Sequence, residues 1–375
     1  QTKKLTVKGV SSNNAPYGGN DDRVKFAITS VTAEYDNGTG LTPTITTVDE
    51  GADITIYQTI TDAGTLTMSL DASTPNSDLV VMGNQGVALT KVRFTSTKEP
   101  FIVEKLQVKN GGNDDADYNS VVLEYKNEAG ATVTKTGYFS SRVINFSGLD
   151  IYVPKDDNTV VTLKANFNTK DGGATNNNTV ALDADYNTNF RAVAKYSSTV
   201  VISAGSSDVT GNDMYLYESK PAVNFASDTP SGNLTPSANT LLAKIAVTAD
   251  VAKDITFENG DGNSLTIKLA ISRNDDDVAV DDSLTLKDEN GNTLDSISNI
   301  DFGTTHTFDF SDNSFTVPAG QTKYLFIYGT TTDFEDRGDS IQVWLDDSAN
   351  DIDWGINGAG SYNHGDIIFR GDKFG

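Results

Sequence analysis

Residues 317–329 read VPAGQTKYLFIYG, and residues 153–163 read VPKDDNTVVTL. In both segments a Val-Pro pair and a polar turn lead into a run of β-branched, aliphatic and aromatic residues, the types that favour strands. The N-terminal segment QTKKLTVKG matches residues 321–329 and shares Gln, Thr, Lys, Leu and Gly with them in register. The same strand therefore occurs in three places, which predicts a repeat architecture.

Other strands recur in the same order along the chain. One of them occurs in three copies, DITIY, DMYLY and DIIFR, at residues 53–57, 213–217 and 366–370. Another occurs in two copies only, at residues 89–95 and 242–248. This pattern predicts module one at residues 58–217, module two at residues 218–375, and the C-terminal part of an incomplete module at residues 1–57.

The pattern inside the modules indicates strands. Apolar and polar residues alternate in TLTMSL at residues 65–70 and in DITFE at residues 254–258, as expected for strands with one buried face. Turn-forming residues separate such segments, and Asn290-Gly291 predicts a hairpin turn. We predict an all-β fold of tandem Ig-like or jelly-roll-like β-sandwich modules, with about ten strands each and essentially no helix.

The incomplete module at residues 1–57 lacks its front strands. A partner chain can supply these strands in trans, as in strand-donated fibres. The simpler alternative is that preceding sequence was cleaved or is not part of this chain, and a start at Gln1 instead of Met fits this alternative. In either case we expect so small a sheet to be unstable as a free domain.

Charge and cysteine content narrow the classes of partner. The chain has 52 acidic and 28 basic residues, a net charge of −24, and no cysteine. Such a negative surface repels nucleic acid and anionic lipid, and no apolar run has the length of a membrane span. The absence of cysteine removes disulfide and zinc-thiolate chemistry and favours a prokaryotic surface protein. We expect a secreted or cell-surface protein, with no nucleic-acid partner and no membrane insertion.

Acidic residues are concentrated in equivalent loops of the two modules. They precede the strands that begin at Ser120 and Ser283, and they are Asp114, Asp115 and Asp117 in module one, and Asp275, Asp276, Asp277, Asp281 and Asp282 in module two. Ca²⁺ takes about six to eight oxygen ligands of this kind, and a bound cation would neutralise the crowded carboxylates. The alternative is a pair of solvated turns, because Asp favours turns and aids solubility. We predict a candidate Ca²⁺ site in these loops and no other cofactor.

Residue types needed for catalysis are sparse. The two histidines, His306 and His364, lie at non-equivalent positions, and the sequence has no Ser-His-Asp spacing and no Gly-rich phosphate loop. We expect structural histidines, no enzymatic activity and no turnover of polysaccharides. Trp344, on an alternating strand, is predicted to lie in the core, whereas Trp354 lies in a Gly/Asn-rich stretch and either is exposed or anchors a loop.

The cysteine-free, Thr/Asn/Asp-rich repeats, with strands such as the QTK segments at residues 1–3 and 321–323, resemble the tandem Ig-like sandwich proteins of prokaryotic surfaces. That group comprises surface-layer subunits, extracellular filament subunits and adhesin stalks. The resemblance covers the whole chain, rests on architecture and composition, and implies a structural role, often with calcium and glycans. Four sequons are compatible with glycosylation, at Asn37, Asn145, Asn177 and Asn233.

The sequence favours one function and leaves a second open. Tandem copies of one sandwich without catalytic groups suit a structural protein that assembles with copies of itself into a surface layer or filament. The alternative is an adhesin or glycan-binding protein that binds cell-surface glycans through loops at one end of a sandwich. The equivalent loops match in acidity but not in length, which does not decide between the two.

Overall fold

The chain divides into two compact units, Gln1–Thr65 and Leu66–Gly375. The computed structural model describes four two-residue strands near the N-terminus, and then residues 64–233, 235–272, 283–298, 300, 305–345 and 352–363. In the first unit β1 (Arg23–Val24) pairs antiparallel with β4 (Gln58–Thr59), and β2 (Ala33–Glu34) pairs antiparallel with β3 (Gly40–Leu41). The rest of the predicted incomplete module, with Asn37, lies outside the described residues.

Besides β4 at its first two residues, module one contains thirteen described strands of very different lengths. They are β5 (Thr65–Leu70), β6 (Leu79–Val81), β7 (Val87–Thr97), β8 (Phe101–Asn110), β9 (Tyr118–Lys126), β10 (Thr132–Gly137), β11 (Val143–Val153), β12 (Asn158–Phe167), β13 (Asn178–Val180), β14 (Leu182–Ala184), β15 (Arg191–Ala194), β16 (Val200–Val201) and β17 (Met214–Tyr217). Two sheets have the orders β10-β9-β12-β7-β5 and β11-β8-β15-β16, with β14 also paired to β8. In the first sheet β7 and β9 run antiparallel to β12, and in the second β11 and β15 run antiparallel to β8. A third sheet has the order β13-β17-β6, and its β17–β6 pair is parallel.

The two larger sheets of module one enclose a common core. Phe94 and Leu123 from the first sheet and Phe101 and Leu106 from the second are fully buried in one cluster. Strands whose alternate residues are apolar place those residues on one face, so two such sheets bury them by packing face to face.

Module two contains twelve described strands. They are β18 (Pro221–Phe225), β19 (Thr240–Ala249), β20 (Ile255–Phe257), β21 (Ser264–Ser272), β22 (Ser283–Lys287), β23 (Thr293–Ser298), β24 (Thr305–Phe308), β25 (Phe315–Val317), β26 (Thr322–Gly329), β27 (Ser340–Leu345), β28 (Ile352–Asp353) and β29 (Gly355–Ile356). The sheets have the orders β18-β19-β26-β22-β23, β24-β21-β27 with β28 also on β21, and β25-β20-β29. Their core includes the fully buried Ile245, Ile327 and Phe257.

Segments that repeat in the sequence occupy equivalent places in the two modules. β12 and β26, which contain the segments VVTL and YLFIY, are each the central strand of a five-stranded sheet. On one side of these strands lie β7 and β19, which contain the paired segments 89–95 and 242–248. On the other side lie β9 and β22, which follow the two acidic loops. The two modules therefore share the strand order of this sheet.

The prediction of an all-β fold is confirmed. The helical segments in the described part of the chain are two short 3-10 turns, Asp115–Asp117 and Lys170–Gly172. No helix there is long and apolar enough to cross a membrane. The predicted module boundary after residue 217 stays a prediction, and it lies where two hydrophobic clusters meet, because Leu79 and Tyr217 pack with the core of module two.

Candidate functional site at the junction of the two modules

Three residues, Glu218, Ser219 and Lys220, connect the last strand of module one to the first strand of module two. The Ser219 hydroxyl donates a hydrogen bond to the backbone carbonyl of Lys253, in module two, at 2.8 Å. The Lys220 ammonium donates to the backbone carbonyl of Leu79, in module one, at 2.6 Å. Glu218 and Ser219 are buried, so this link is tied to both modules instead of being a free tether.

The carboxylate of Glu218 joins the two modules through ionic hydrogen bonds. Its Oε2 accepts from Lys170 Nζ at 2.6 Å and from Asn176 Nδ2 at 2.9 Å, both in module one. Its Oε1 pairs with Lys253 Nζ in module two at 2.8 Å. Burial alone would raise the pKa of Glu218, but the hydrogen bonds to these partners lower it to about 2. The carboxylate is therefore ionised at neutral pH and bound from both sides of the junction.

Aromatic side chains pack across the same junction. The Tyr217 ring is fully buried, and its centroid lies 5.4 Å from that of Trp354 and 5.4 Å from that of Tyr362, both in module two. The Tyr217 hydroxyl donates to Asn177 Oδ1 at 2.7 Å. Burial raises the pKa of Tyr217, so its hydroxyl stays neutral. Tilted and edge-on ring pairs at these distances stabilise beyond the area that they bury.

The structure contradicts the core position predicted for Trp344 and decides between the two alternatives stated for Trp354. Trp354 is fully buried beside Tyr217, so the expectation of exposure is wrong and its alternative, anchoring of the surrounding segment, fits. Trp344, on β27, is half-buried and belongs to neither core cluster of the described residues, so the prediction of a core position is wrong. Its neighbour Val343 is buried, and successive residues of a strand face opposite sides. Lys268 Nζ lies 5.7 Å from the Trp344 ring centroid on that outer side.

The predicted calcium loop of module one uses its first two carboxylates to hold backbone and amide groups. Asp114 Oδ1 accepts from the backbone N–H of Ala116 at 3.0 Å and caps the 3-10 turn. Asp115 Oδ1 accepts from Asn110 Nδ2 at 2.8 Å, and its Oδ2 accepts from the backbone N–H of Arg142 at 2.8 Å. These bonds fix the loop between β8 and β9.

Asp117 is fully buried, and its carboxylate accepts from the backbone N–H of Thr175 at 3.1 Å and from Asn178 Nδ2 at 2.9 Å. Burial raises the pKa of Asp117, and these two bonds act in the opposite direction. Across the described residues, no group of three or more His, Asp or Glu side chains is placed to hold a metal ion. The loop aspartates of module two lie outside the described residues, namely Asp275, Asp276, Asp277, Asp281 and Asp282. The Ca²⁺ site therefore stays a prediction.

The histidines and the sequon residues are the remaining residues singled out from the sequence. His306 is buried on β24, opposite Ile267 of β21, and His364 lies outside the described residues. Three of the sequon residues are exposed, namely Asn145, Asn177 and Asn233.

The junction site was not predicted from the sequence. Its members come from four separate segments, with Lys170 and Asn176 in the loop between β12 and β13 and Glu218, Lys253 and Tyr362 in three others, and no local motif links these segments. The one available signal was position, because an acidic residue stands directly at the predicted module boundary. Charged residues at surface turns are common, so this position alone did not distinguish Glu218.

No family model matches the chain, and no curated protein matches it. Among solved structures, the C-terminal domain of the Streptococcus pyogenes antigen I/II-family protein AspA is similar, with 9% identity, 80% of this chain and 97% of that chain covered, and a TM-score of 0.25. The C-terminal domain of the Streptococcus agalactiae AgI/II polypeptide BspA has 10% identity, the coverage is 80% and 97%, and the TM-score is 0.17. The BSP domain of a biofilm associated protein has 10% identity, 69% and 64% coverage, and a TM-score of 0.17. TM-scores of this size establish neither a shared family nor a shared function.

Proposed function

We propose that this chain is an extracellular structural repeat protein in which consecutive sandwiches form a stiff building block of a surface layer or filament. The observation that carries the proposal is the junction. A link of three residues is bonded on both sides, the Glu218 carboxylate binds lysines of both modules, and the Tyr217 ring packs against module two. A tether between independent binding modules would not need these contacts.

The energetics of the junction support one fixed arrangement. Relative motion is the usual expectation for two domains in one chain unless their interface is large or apolar. Here a hinge motion would separate Glu218 from Lys253 and expose the rings of Tyr217 and Trp354. Separating Glu218 from Lys253, whose side chain is 40% exposed, costs about 1 kcal/mol, and exposing a buried aromatic ring costs about 1.5–3 kcal/mol. Open arrangements are therefore rare compared with the closed one.

The proposal includes no enzymatic activity. The hydrogen bonds made by four of the described acidic residues support this part of the proposal. Asp114, Asp115 and Asp117 bond to loop backbone and amide groups, and Glu218 bonds to lysines. These carboxylates hold structure together instead of converging on an open cleft.

Self-assembly with copies of the same chain is the finer part of the proposal. Two modules with one strand order can present one contact geometry repeatedly, as stacked repeats do. A head-to-tail contact that does not close into a ring propagates as an open filament. The net charge of −24 opposes such contacts, and bound or screening cations would weaken this repulsion.

Stiffness of the junction is tested by distance measurement between spin labels. The chain has no cysteine, so Lys135→Cys on β10 and Thr305→Cys on β24, both at exposed positions, give one label in each module. We expect a single narrow distance distribution in the otherwise unchanged chain and a broad one after Glu218→Ala with Tyr217→Ala. A broad distribution with the junction intact would refute the stiff building block.

Self-assembly is tested by negative-stain electron microscopy of the purified native protein, with and without a calcium chelator. Regular filaments or lattices are the expected result, and their loss on chelation would link assembly to the acidic loops. Dispersed monomers under both conditions would rule out self-assembly while leaving the stiffness result unaffected.

A further inference from the structure

An aromatic column lies on the outer face of the five-stranded sheet of module two. The column consists of Tyr324, Phe326 and Tyr328, which are alternate residues of β26. Leu325 and Ile327 between them are buried in the core, so the three rings project from the opposite face, where they are half-buried. Alternate residues of a strand lie about 6.6–6.8 Å apart, so the rings form a straight row along the central strand.

Two lysines flank the aromatic column. Lys244 of β19 and Lys287 of β22 are the cross-strand neighbours of Phe326, one on each side. Lys244 Nζ lies 4.3 Å from the ring centroid of Tyr324, and Lys287 Nζ lies 5.0 Å from that of Tyr328. The other cross-strand neighbours of the two tyrosines on this face include an alanine and a threonine. Tyr324 therefore has a short side chain beside it, whereas Tyr328 has both Thr285 and the larger Leu241 beside it.

The face around the column is nearly neutral although the chain is strongly acidic. The net charge is −24, yet the outward positions of the described strands of this sheet carry two lysines and no carboxylate. Lys244 pairs with Asp228 of a neighbouring loop at 2.7 Å, which leaves Lys287 as the excess charge on these strands. At physiological ionic strength salt screens exposed charges that are more than about 8 Å away. The charges near the column therefore govern what binds to it more than the net charge of the whole chain does.

The strand order of this five-stranded sheet does not depend on the aromatic column. In module one the equivalent central strand, β12, has Val160, Thr162, Lys164 and Asn166 at its outward positions. The same strand order forms there without an outward aromatic residue on that strand. Cation–π contacts at exposed sites contribute only about 0.5–1 kcal/mol each. Three aromatic rings in line on a solvent-facing strand therefore call for a role other than stability.

We propose that the aromatic column binds a neutral, linear polysaccharide. The C–H groups on one side of a sugar ring pack on flat aromatic rings, while its hydroxyls bond to the Lys287 ammonium and the Lys244–Asp228 pair. The column is one ring wide with polar groups on both sides, which fits a single extended polymer better than a broad protein interface. The rest of the chain repels a polyanion, and one excess lysine neutralises little of its charge. This binding function is separate from the structural role of the junction.

Affinity electrophoresis of the full chain tests the proposal. Native gels contain laminarin, galactan, xylan, mannan or hydroxyethyl cellulose as neutral polymers, polygalacturonate as the acidic polymer, or an oligothymidine strand as the nucleic acid. We expect retardation by at least one neutral polymer. Because aromatic residues dominate the affinity of small binding surfaces, Phe326→Ala and Tyr328→Ala should each weaken it about tenfold or more.

Matched variants separate binding from folding. Tyr152→Ala removes a half-buried tyrosine in module one that also has a lysine over its ring, Lys195 at 5.7 Å, and should bind like the unchanged chain. Lys287→Ala, at a solvent-facing position, should weaken binding without lowering Tm. Retardation by no neutral polymer, stronger retardation by polygalacturonate or oligothymidine, or equal retardation of Phe326→Ala and Tyr152→Ala would each overturn the proposal.

Discussion

Glu218→Gln removes the negative charge that Lys170 and Lys253 share and keeps the size of the side chain. The pKa of Glu218 falls from its ordinary value of 4.5 to about 2 in the folded protein. At about 1.4 kcal/mol for each tenfold change in the ionisation constant, this corresponds to about 3 kcal/mol of stabilisation. The Lys170 side chain is 59% exposed, so solvent screens part of the interaction, and we expect about 1–2 kcal/mol to remain.

The sign of the pH dependence follows from the direction of this pKa change. A carboxyl group whose pKa is lower in the folded than in the unfolded state stabilises the folded protein above the unfolded value. The contribution of Glu218 is therefore fully present at neutral pH and is lost as the pH falls from about 4.5 towards about 2. The glutamine side chain of the variant does not ionise and makes no such contribution at any pH, so the two proteins should converge in stability in acid.

Urea unfolding of both proteins at about pH 7 and about pH 2.5 measures this difference, with tryptophan fluorescence as the signal because Trp354 lies at the junction. Glu124→Gln is the matched control, since Glu124 pairs with Lys164 at 2.8 Å on the surface of module one. We expect the control to lose less than about 0.5 kcal/mol. Equal losses in both variants, or a Glu218→Gln effect that is as large at about pH 2.5 as at about pH 7, would refute the role assigned to this carboxylate.

Two further changes test the junction and the calcium loops. Trp354→Ala leaves a cavity between the modules and should lower the free energy of unfolding by about 3–5 kcal/mol in urea titrations, whereas Trp344→Ala, at a half-buried outer position, should cost clearly less; equal costs would contradict the burial described for Trp354. For calcium, we expect Ca²⁺ to raise the Tm of chelator-treated protein, an effect that Asp312→Asn in an exposed turn preserves and that is lost on substitution by Asn of Asp275, Asp276 and Asp277. A Ca²⁺ response that is unchanged in the triple variant would exclude these residues as ligands.

The all-β class and the shared sheet could be predicted because they depend on local pattern. Alternation, turn residues and the recurrence of VPAGQTKYLFIYG are properties of short segments, and β12 and β26 occupy equivalent central positions. The junction could not be predicted in this way. Glu218 meets Lys170, Lys253 and Asn176 only after two sheets have formed and packed, and none of these residues is unusual in its own segment.

The burial and orientation of the aromatic residues could not be predicted from the sequence either. Tyr324, Phe326 and Tyr328 alternate with two aliphatic residues in one unbroken apolar run, so periodicity could not say which set faces the core. Trp354 was expected at the surface or as an anchor because Gly and Asn surround it, yet burial is decided by the partner that a residue meets, here Tyr217. The composition of a segment therefore does not decide whether a residue in it is buried, because burial depends on a second segment that packs against it.

The parallel pairing of β17 with β6 has a consequence for synthesis of the chain. β17, the last strand of module one, pairs with β6 near its beginning, Leu216 against Val80. Ribosomes synthesise chains at about 5–20 residues per second. β6 therefore lacks its partner β17 for several seconds or more, while the residues between the two strands are synthesised. During that interval the backbone N–H and C=O groups on this edge of β6 are unpaired and can bond to a strand of another chain. Nascent copies that emerge close together would be most exposed to such mispairing.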